Sequence, residues 1–221
     1  MNDVLGEMKA YYAARAPEYD DWWFRRGRYD LGKEGNARWA EEAAEVEAAL
    51  DALRPFGSVV ELAAGTGLWT RHLVEGATRV LALDANAETL AINRERTGGR
   101  AEYRLADLFT WEPDEGFDLC FFGFWLSHVP DARFDAFWDA VRRASDRFFL
   151  VDSAAGDPAH LWETAGEVET RRLSDGREFE IVKRRWSPEG LAARLGPLGW
   201  EVDLRASSAG SFVYGSGRIR A

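Results

Sequence analysis

Val59-Val60-Glu61-Leu62-Ala63-Ala64-Gly65-Thr66-Gly67-Leu68-Trp69-Thr70 runs from an apolar stretch through small residues into a second apolar stretch. Residues 58–62 read as a strand of the buried type, and residues 66–75 as the opening of a helix. Between them, Ala63 to Gly67 is a turn small enough for backbone N–H groups to approach a ligand closely. A Gly-x-Gly in this place also serves a plain strand-to-helix turn, so its surroundings decide the reading. Residues 79–84 form a second strand ending in Asp84, where a carboxylate can accept both hydroxyls of a ribose. A dinucleotide fingerprint would need glycine at position 70, which is Thr70. Glu61, ahead of the turn, repels a pyrophosphate but suits a cofactor carrying an ammonium group and no phosphate.

Outward from this segment, strands and helices alternate. After the strand at 79–84 come a helix at 87–96, a weaker strand at 101–106 and a strongly apolar strand at 117–123. A helix at 130–145 and a buried strand at 147–151 follow. Such alternation predicts a parallel sheet covered by helices on both faces. Toward the N-terminus, residues 3–16 read as a helix interrupted by Pro17. A second helix at 34–53 spaces Trp39, Ala43, Val46 and Leu50 along one buried face. Beyond Asp152 the alternation stops. Residues 169–173 and 177–186 flank Ser174-Asp175-Gly176 as a hairpin. Ser187-Pro188 starts a helix, and 200–205 and 212–219 are two further strands. The expected fold is α/β: a Rossmann-like, seven-stranded, mostly parallel sheet with antiparallel C-terminal strands, an N-terminal helical lid and an inserted hairpin. One domain is expected over 1–221, divided into a lid or cap (1–55), a cofactor-binding core (56–153) and a hairpin with C-terminal strands (154–221).

The 221 residues, 46% of them hydrophobic, suffice for one sizeable core. A net charge of −10 argues against a nucleic-acid binder. The single cysteine, Cys120, excludes a disulfide framework and a cysteine-rich zinc site. Asp152, Asp157 and His160 are too loosely spaced to make a convincing metal site, and no metal is expected. The N-terminus lacks the apolar core of a secretory signal, and the longest uncharged apolar stretch, 119–130, is too short to span a bilayer. A cytoplasmic protein, monomeric or homodimeric and not membrane-bound, is the expectation. Only Lys9, Lys33 and Lys183 are lysines among 28 basic residues, a bias that reads as coding preference.

The glycine turn, Asp84 and Ala106-Asp107-Leu108 together resemble the class I S-adenosylmethionine-dependent methyltransferases. The family's opening motif, an acid followed by Gly-x-Gly-x-Gly, falls on Glu61, Ala63, Gly65 and Gly67, with alanine replacing the first glycine. The resemblance implies that Asp84 binds the ribose, that Asp107 and the backbone of Leu108 contact the adenine, and that Gly123 ends the strand beside the methyl-transfer site. The segment 11–20 is similar to the lid of small-molecule members, which implies that Tyr11, Arg15 and Tyr19 close over the methionine part. Asp107 also reads as a helix N-cap, and Arg15 as a solvated surface arginine.

His128 follows the 117–123 strand and is the first candidate should a general base be needed, although packing or a backbone hydrogen bond is the favoured reading of a histidine there. Trp22, Trp23, Trp125 and Trp162 fall where members of the family build substrate pockets, which favours an apolar or planar acceptor; each is also ordinary core. The basic run Arg171, Arg172, Arg177, Lys183, Arg184, Arg185 reads as a solvated hairpin face or as a contact for an anionic substrate. The implied function is methyl transfer from S-adenosylmethionine to an oxygen, nitrogen or carbon of a small molecule. A nicotinamide-dependent oxidoreductase on a similar sheet and a non-methylating cofactor binder remain the alternatives.

Overall fold

The structure, a computed structural model, describes residues 2–155 and 166–220. Its elements are α1 (Asn2–Arg15), α2 (Tyr19–Trp23), α3 (Gly32–Asp51), β1 (Phe56–Leu62), α4 (Thr70–Leu73), β2 (Ala77–Asp84), α5 (Ala87–Arg96), β3 (Glu102–Leu105), β4 (Leu119–Gly123), α6 (Phe134–Ala144), β5 (Arg147–Ser153), β6 (Val168–Arg172), β7 (Glu178–Val182), α7 (Pro188–Leu195), β8 (Trp200–Ala206) and β9 (Phe212–Ile219). Seven strands form one sheet in the order β3-β2-β1-β4-β5-β9-β8, with β6 and β7 in a separate two-stranded sheet. The first five strands are parallel; β9 and β8 are antiparallel.

The strands carry apolar residues on both faces because both are covered. Val60, Leu62, Leu81, Leu83, Cys120, Phe122 and Leu150 point into one core. There α6 adds Phe134, Phe137, Trp138 and Val141, three and four residues apart, on a single stripe. The alternate positions Val59, Val80, Phe121 and Phe149 point to the opposite core, against Trp39, Val46 and Leu50 of α3. A third, smaller core joins Leu5, Met8 and Tyr11 of α1 to Ile181 and Val182 of β7.

Several expected boundaries move for local reasons. The helix read at 66–75 shrinks to α4, because Gly67 takes a left-handed φ of 86° that a helix cannot contain. The helix read at 130–145 begins only at Phe134, after a 3₁₀ turn at Asp131–Arg133. The second hairpin strand ends at Val182, and its continuation leaves the two-stranded sheet to contact the β4–α6 connection. Ser187 caps α7 as expected, accepting the Gly190 N–H at 3.0 Å. Among the described residues no helix is long and apolar enough to cross a membrane.

Candidate active site

A cleft lies at the carboxyl ends of β1, β2 and β4, where open α/β sheets bind their ligands. Its floor is the turn that follows β1. Ala63 sits at φ 54° and Gly65 at φ 53°, so the chain doubles back immediately after the strand. Gly67 is needed for a different reason: a Cβ there would lie 2.6 Å from Asn93 Oδ1 on α5. Asn93 in turn donates to Thr70 Oγ1 at 2.7 Å, and Thr70 donates to Glu61 Oε2 at 2.5 Å. Burial pushes the Glu61 carboxyl up to about 8.

Asp84, at the end of β2, accepts from Gly65 N at 2.8 Å, Asn86 N at 2.9 Å and Thr89 Oγ1 at 3.1 Å. It therefore ties the glycine turn to the next loop while facing the cleft. Burial raises its pKa against these hydrogen bonds. One loop further on, Asp107 Oδ1 accepts Phe109 N–H at 3.0 Å and Oδ2 takes Lys9 Nζ at 2.5 Å. Burial opposes ionisation there, but Lys9 and the Phe109 N–H together hold its pKa low. Leu108 N–H bonds no protein group among the described residues.

Helix α1 forms the cover. Met8 and Lys9, and Tyr12 one turn further on, all line the cleft. The α2 segment is fastened to the floor, where Asp20 accepts Thr66 Oγ1 at 2.7 Å and pairs with Arg96. At the far end stand Gly123, Phe124, Trp125 and His128. Phe124 also adopts a left-handed φ of 56°, which turns its ring against Trp22, Trp23 and Phe212.

Both nitrogens of His128 are engaged. Nδ1 lies 2.7 Å from the Val182 carbonyl, which can only accept, so Nδ1 carries the proton. Nε2 then accepts the Tyr12 hydroxyl at 2.8 Å. Burial first, and then Lys183, depress the His128 pKa well below its ordinary value, with Arg171 and Arg15 adding to the effect. Lys183 Nζ donates to Ser127 Oγ at 2.8 Å and lies 3.7 Å from Asp152, whose other oxygen accepts Ser127 N–H. Glu169 is buried between Arg171 and Arg185, at 2.7 and 2.5 Å. Arg15 is buried among the rings of Tyr11, Tyr19 and Tyr29, and no carboxylate pairs with it among the described residues.

Of the residues singled out in the sequence, the cleft brings together Tyr19, Ala63, Gly65, Asp84, Asp107, Leu108, Gly123, Trp125 and His128. Glu61 and Gly67 lie behind its wall, in the Thr70–Asn93 network. Tyr11 and Arg15 lie behind Tyr12 and Tyr19. Trp22 and Trp23 pack into the α3-side core, with Trp39, Phe124 and Phe212 as neighbours, rather than on the cleft. Asp157, His160 and Trp162 fall outside the described residues. Sequence reading missed Met8, Lys9, Tyr12, Thr89, Phe109 and Phe124. Only Tyr12, beside Tyr11 in an aromatic lid, carried a local signal.

The comparisons agree with this geometry. Residues 59–146 match the family described as "Methyltransferase domain". A DhpI–SAM–HEP complex is 37% identical, covers 99% of either chain and superposes with a TM-score of 0.83. A DhpI complex with S-adenosylhomocysteine (SAH) is also 37% identical, covering 99% of this chain and 98% of that one at a TM-score of 0.80. The Burkholderia thailandensis 1,6-didemethyltoxoflavin-N1-methyltransferase, bound to its acceptor and SAH, shares 16% identity over 100% of this chain and 90% of its own. Its TM-score of 0.65 shows the common fold. No curated protein matches. With a full-length relative at this identity, and with the acid–glycine turn, Asp84 and Asp107 around one cleft, the chain belongs to the class I S-adenosylmethionine-dependent methyltransferases and acts on small molecules.

Proposed function

We propose that the methyl acceptor is a small molecule presenting an anionic oxygen, its apolar or planar part resting on Phe109, Phe124 and Trp125. The carrying observation is the charge around His128. Among the described residues Arg15, Arg171, Arg185 and Lys183 meet only two carboxylates, Glu169 and Asp152. Arg15 and Lys183 are buried, with Arg171 and Arg185 half-buried beside them, and charge held out of water is costly unless an opposite charge offsets it. The methionine carboxylate accounts for one surplus charge, at Arg15. The other calls for an anionic acceptor facing Arg171 and Lys183.

S-adenosylmethionine supplies an electrophilic methyl on a positively charged sulfur. The chain's own residues then have four tasks. Asp84 and the Gly65 turn hold the ribose, while Asp107 and Leu108 N–H hold the adenine. Glu61 faces the ammonium end through the turn. Tyr12 and Tyr19, with the α1 cover, keep water from the reacting line, and in a dry cleft a step that cancels opposite charges is favoured. No proton has to be removed from an acceptor that is already an oxyanion. This fits a histidine whose basicity burial and three neighbouring cations have suppressed.

The test is methyl transfer from S-adenosylmethionine, followed by SAH release, to matched sets of small acceptors: carboxylic and phosphoric acids, the corresponding alcohols and phenols, and amines. Acids should be preferred in kcat/KM by about tenfold or more, the scale of one charge-assisted hydrogen bond. Faster turnover of the neutral alcohols, rising with pH through a single ionisation, would assign the nucleophile's proton to His128 and overturn the anionic reading.

A further inference from the structure

We infer that Lys9 sets the purine specificity of the cofactor site and lets it take a 6-oxopurine, the deaminated form of the nucleoside, besides adenine. This rests on the reading that Asp107 faces the purine. Lys9, one of three lysines in an otherwise arginine-rich chain, lines this cleft and reaches 98 residues along the sequence to bond Asp107. An ammonium offers three donors, of which Asp107 uses one. The pair is partly solvated, at 39% and 34% side-chain exposure, so it contributes little to stability and is free to rearrange around a ligand.

The purine-facing edge therefore holds an acceptor, Asp107 Oδ2, between two donors, Leu108 N–H and Lys9 Nζ. Adenine presents an acceptor at N1 and a donor at its 6-amino group, which match Leu108 N–H and Asp107. A 6-oxopurine presents the reverse, a donor at N1 and an acceptor at O6. Without Lys9 its O6 would meet only carboxylate oxygen. With Lys9 its N1–H turns to Asp107 and its O6 accepts from the ammonium. The lysine thus makes one carboxylate readable from either side.

The experiment compares the affinities of S-adenosylhomocysteine and S-inosylhomocysteine by calorimetry, in the wild type and in Lys9→Met and Lys9→Arg. The wild type should bind the two within about tenfold, and Lys9→Met should separate them by about a hundredfold, by weakening the inosyl ligand alone. Lys9→Arg, which keeps donors, should close much of that gap. Because each ratio is taken on one variant, partial loss of folding cancels from it. An equal ratio in wild type and Lys9→Met overturns the role of Lys9. Undiminished binding of both ligands to Asp107→Asn overturns the purine placement itself, a separate failure.

Discussion

The two ends of the cleft strain ionisation in opposite directions. Around the glycine turn, buried acids hold their protons more tightly than usual: Glu61 rises to about 8 and Asp84 rises as well. Around His128, buried bases hold theirs less tightly, with His128 and Lys183 both depressed. Burial is the first cause at each. On the reading proposed above, the first end suits the cofactor's ammonium and the second an anionic acceptor, so the two charges stay apart until they meet in the reaction.

The most forceful way to break this contrast is Glu61→Gln. A carboxyl whose folded pKa is raised favours the fold fully below its unfolded value near 4.5, and that contribution is lost as pH rises toward 8. Without cofactor, the Gln variant should gain on the wild type from pH 5 to pH 8, by about 3–5 kcal/mol at about 1.4 kcal/mol per unit. Urea melts at the two pH values measure this, and a constant difference would show that Glu61 ionises freely in the fold.

The opposite end is probed by Arg171→Met. It should lower kcat/KM for an acidic acceptor ten- to a hundredfold, about 1.5–3 kcal/mol, with SAH affinity unchanged. A parallel loss of SAH affinity would merge the two ends. The mirror change, Asp84→Ala, should weaken SAH by about 1–3 kcal/mol, since it removes ribose contacts and frees Gly65 N–H. The acceptor KM should stay put. On the proposed reading the imidazole holds Tyr12 and takes no proton, so His128→Asn should slow turnover by no more than about tenfold, equally across pH 6–9. A steep, pH-dependent loss would restore the histidine as a base. Smallest of all, Ala63→Gly should raise the melting stability by a few tenths to about 1 kcal/mol. It relieves a left-handed alanine at the cost of glycine's greater chain entropy.

The acid end was legible in the sequence because its parts are local. Ala63 to Gly67, Asp84 and Asp107 each close a strand, and the strand pattern alone places them side by side. The other end was not, because it is assembled from distant chain segments: Tyr12 meets His128 across 116 residues, and Lys183 meets Ser127 across 56. The hairpin could be read from Ser174-Asp175-Gly176, but nothing in that turn says that Ile181 and Val182 pack beneath α1. Trp22 and Trp23 illustrate the limit from the other side. They sit on α2, yet composition does not tell which way a ring points, and both turned toward Trp39.

The small core shared by α1 and β7 has a consequence for how the chain is made. Glu180 N–H donates to Glu7 Oε2 across 173 residues, so the packing of α1 on the hairpin closes only once residues 178–182 have been made. The sheet β1–β5 is complete by residue 153 and can condense while the apolar face of α1, with Met8 and Tyr11, still lacks its hairpin cover. Such long-range closure is entropically slow. Its timing would make the roof of the cleft the last piece of the enzyme to settle at birth and the first to lift when the chain begins to unfold.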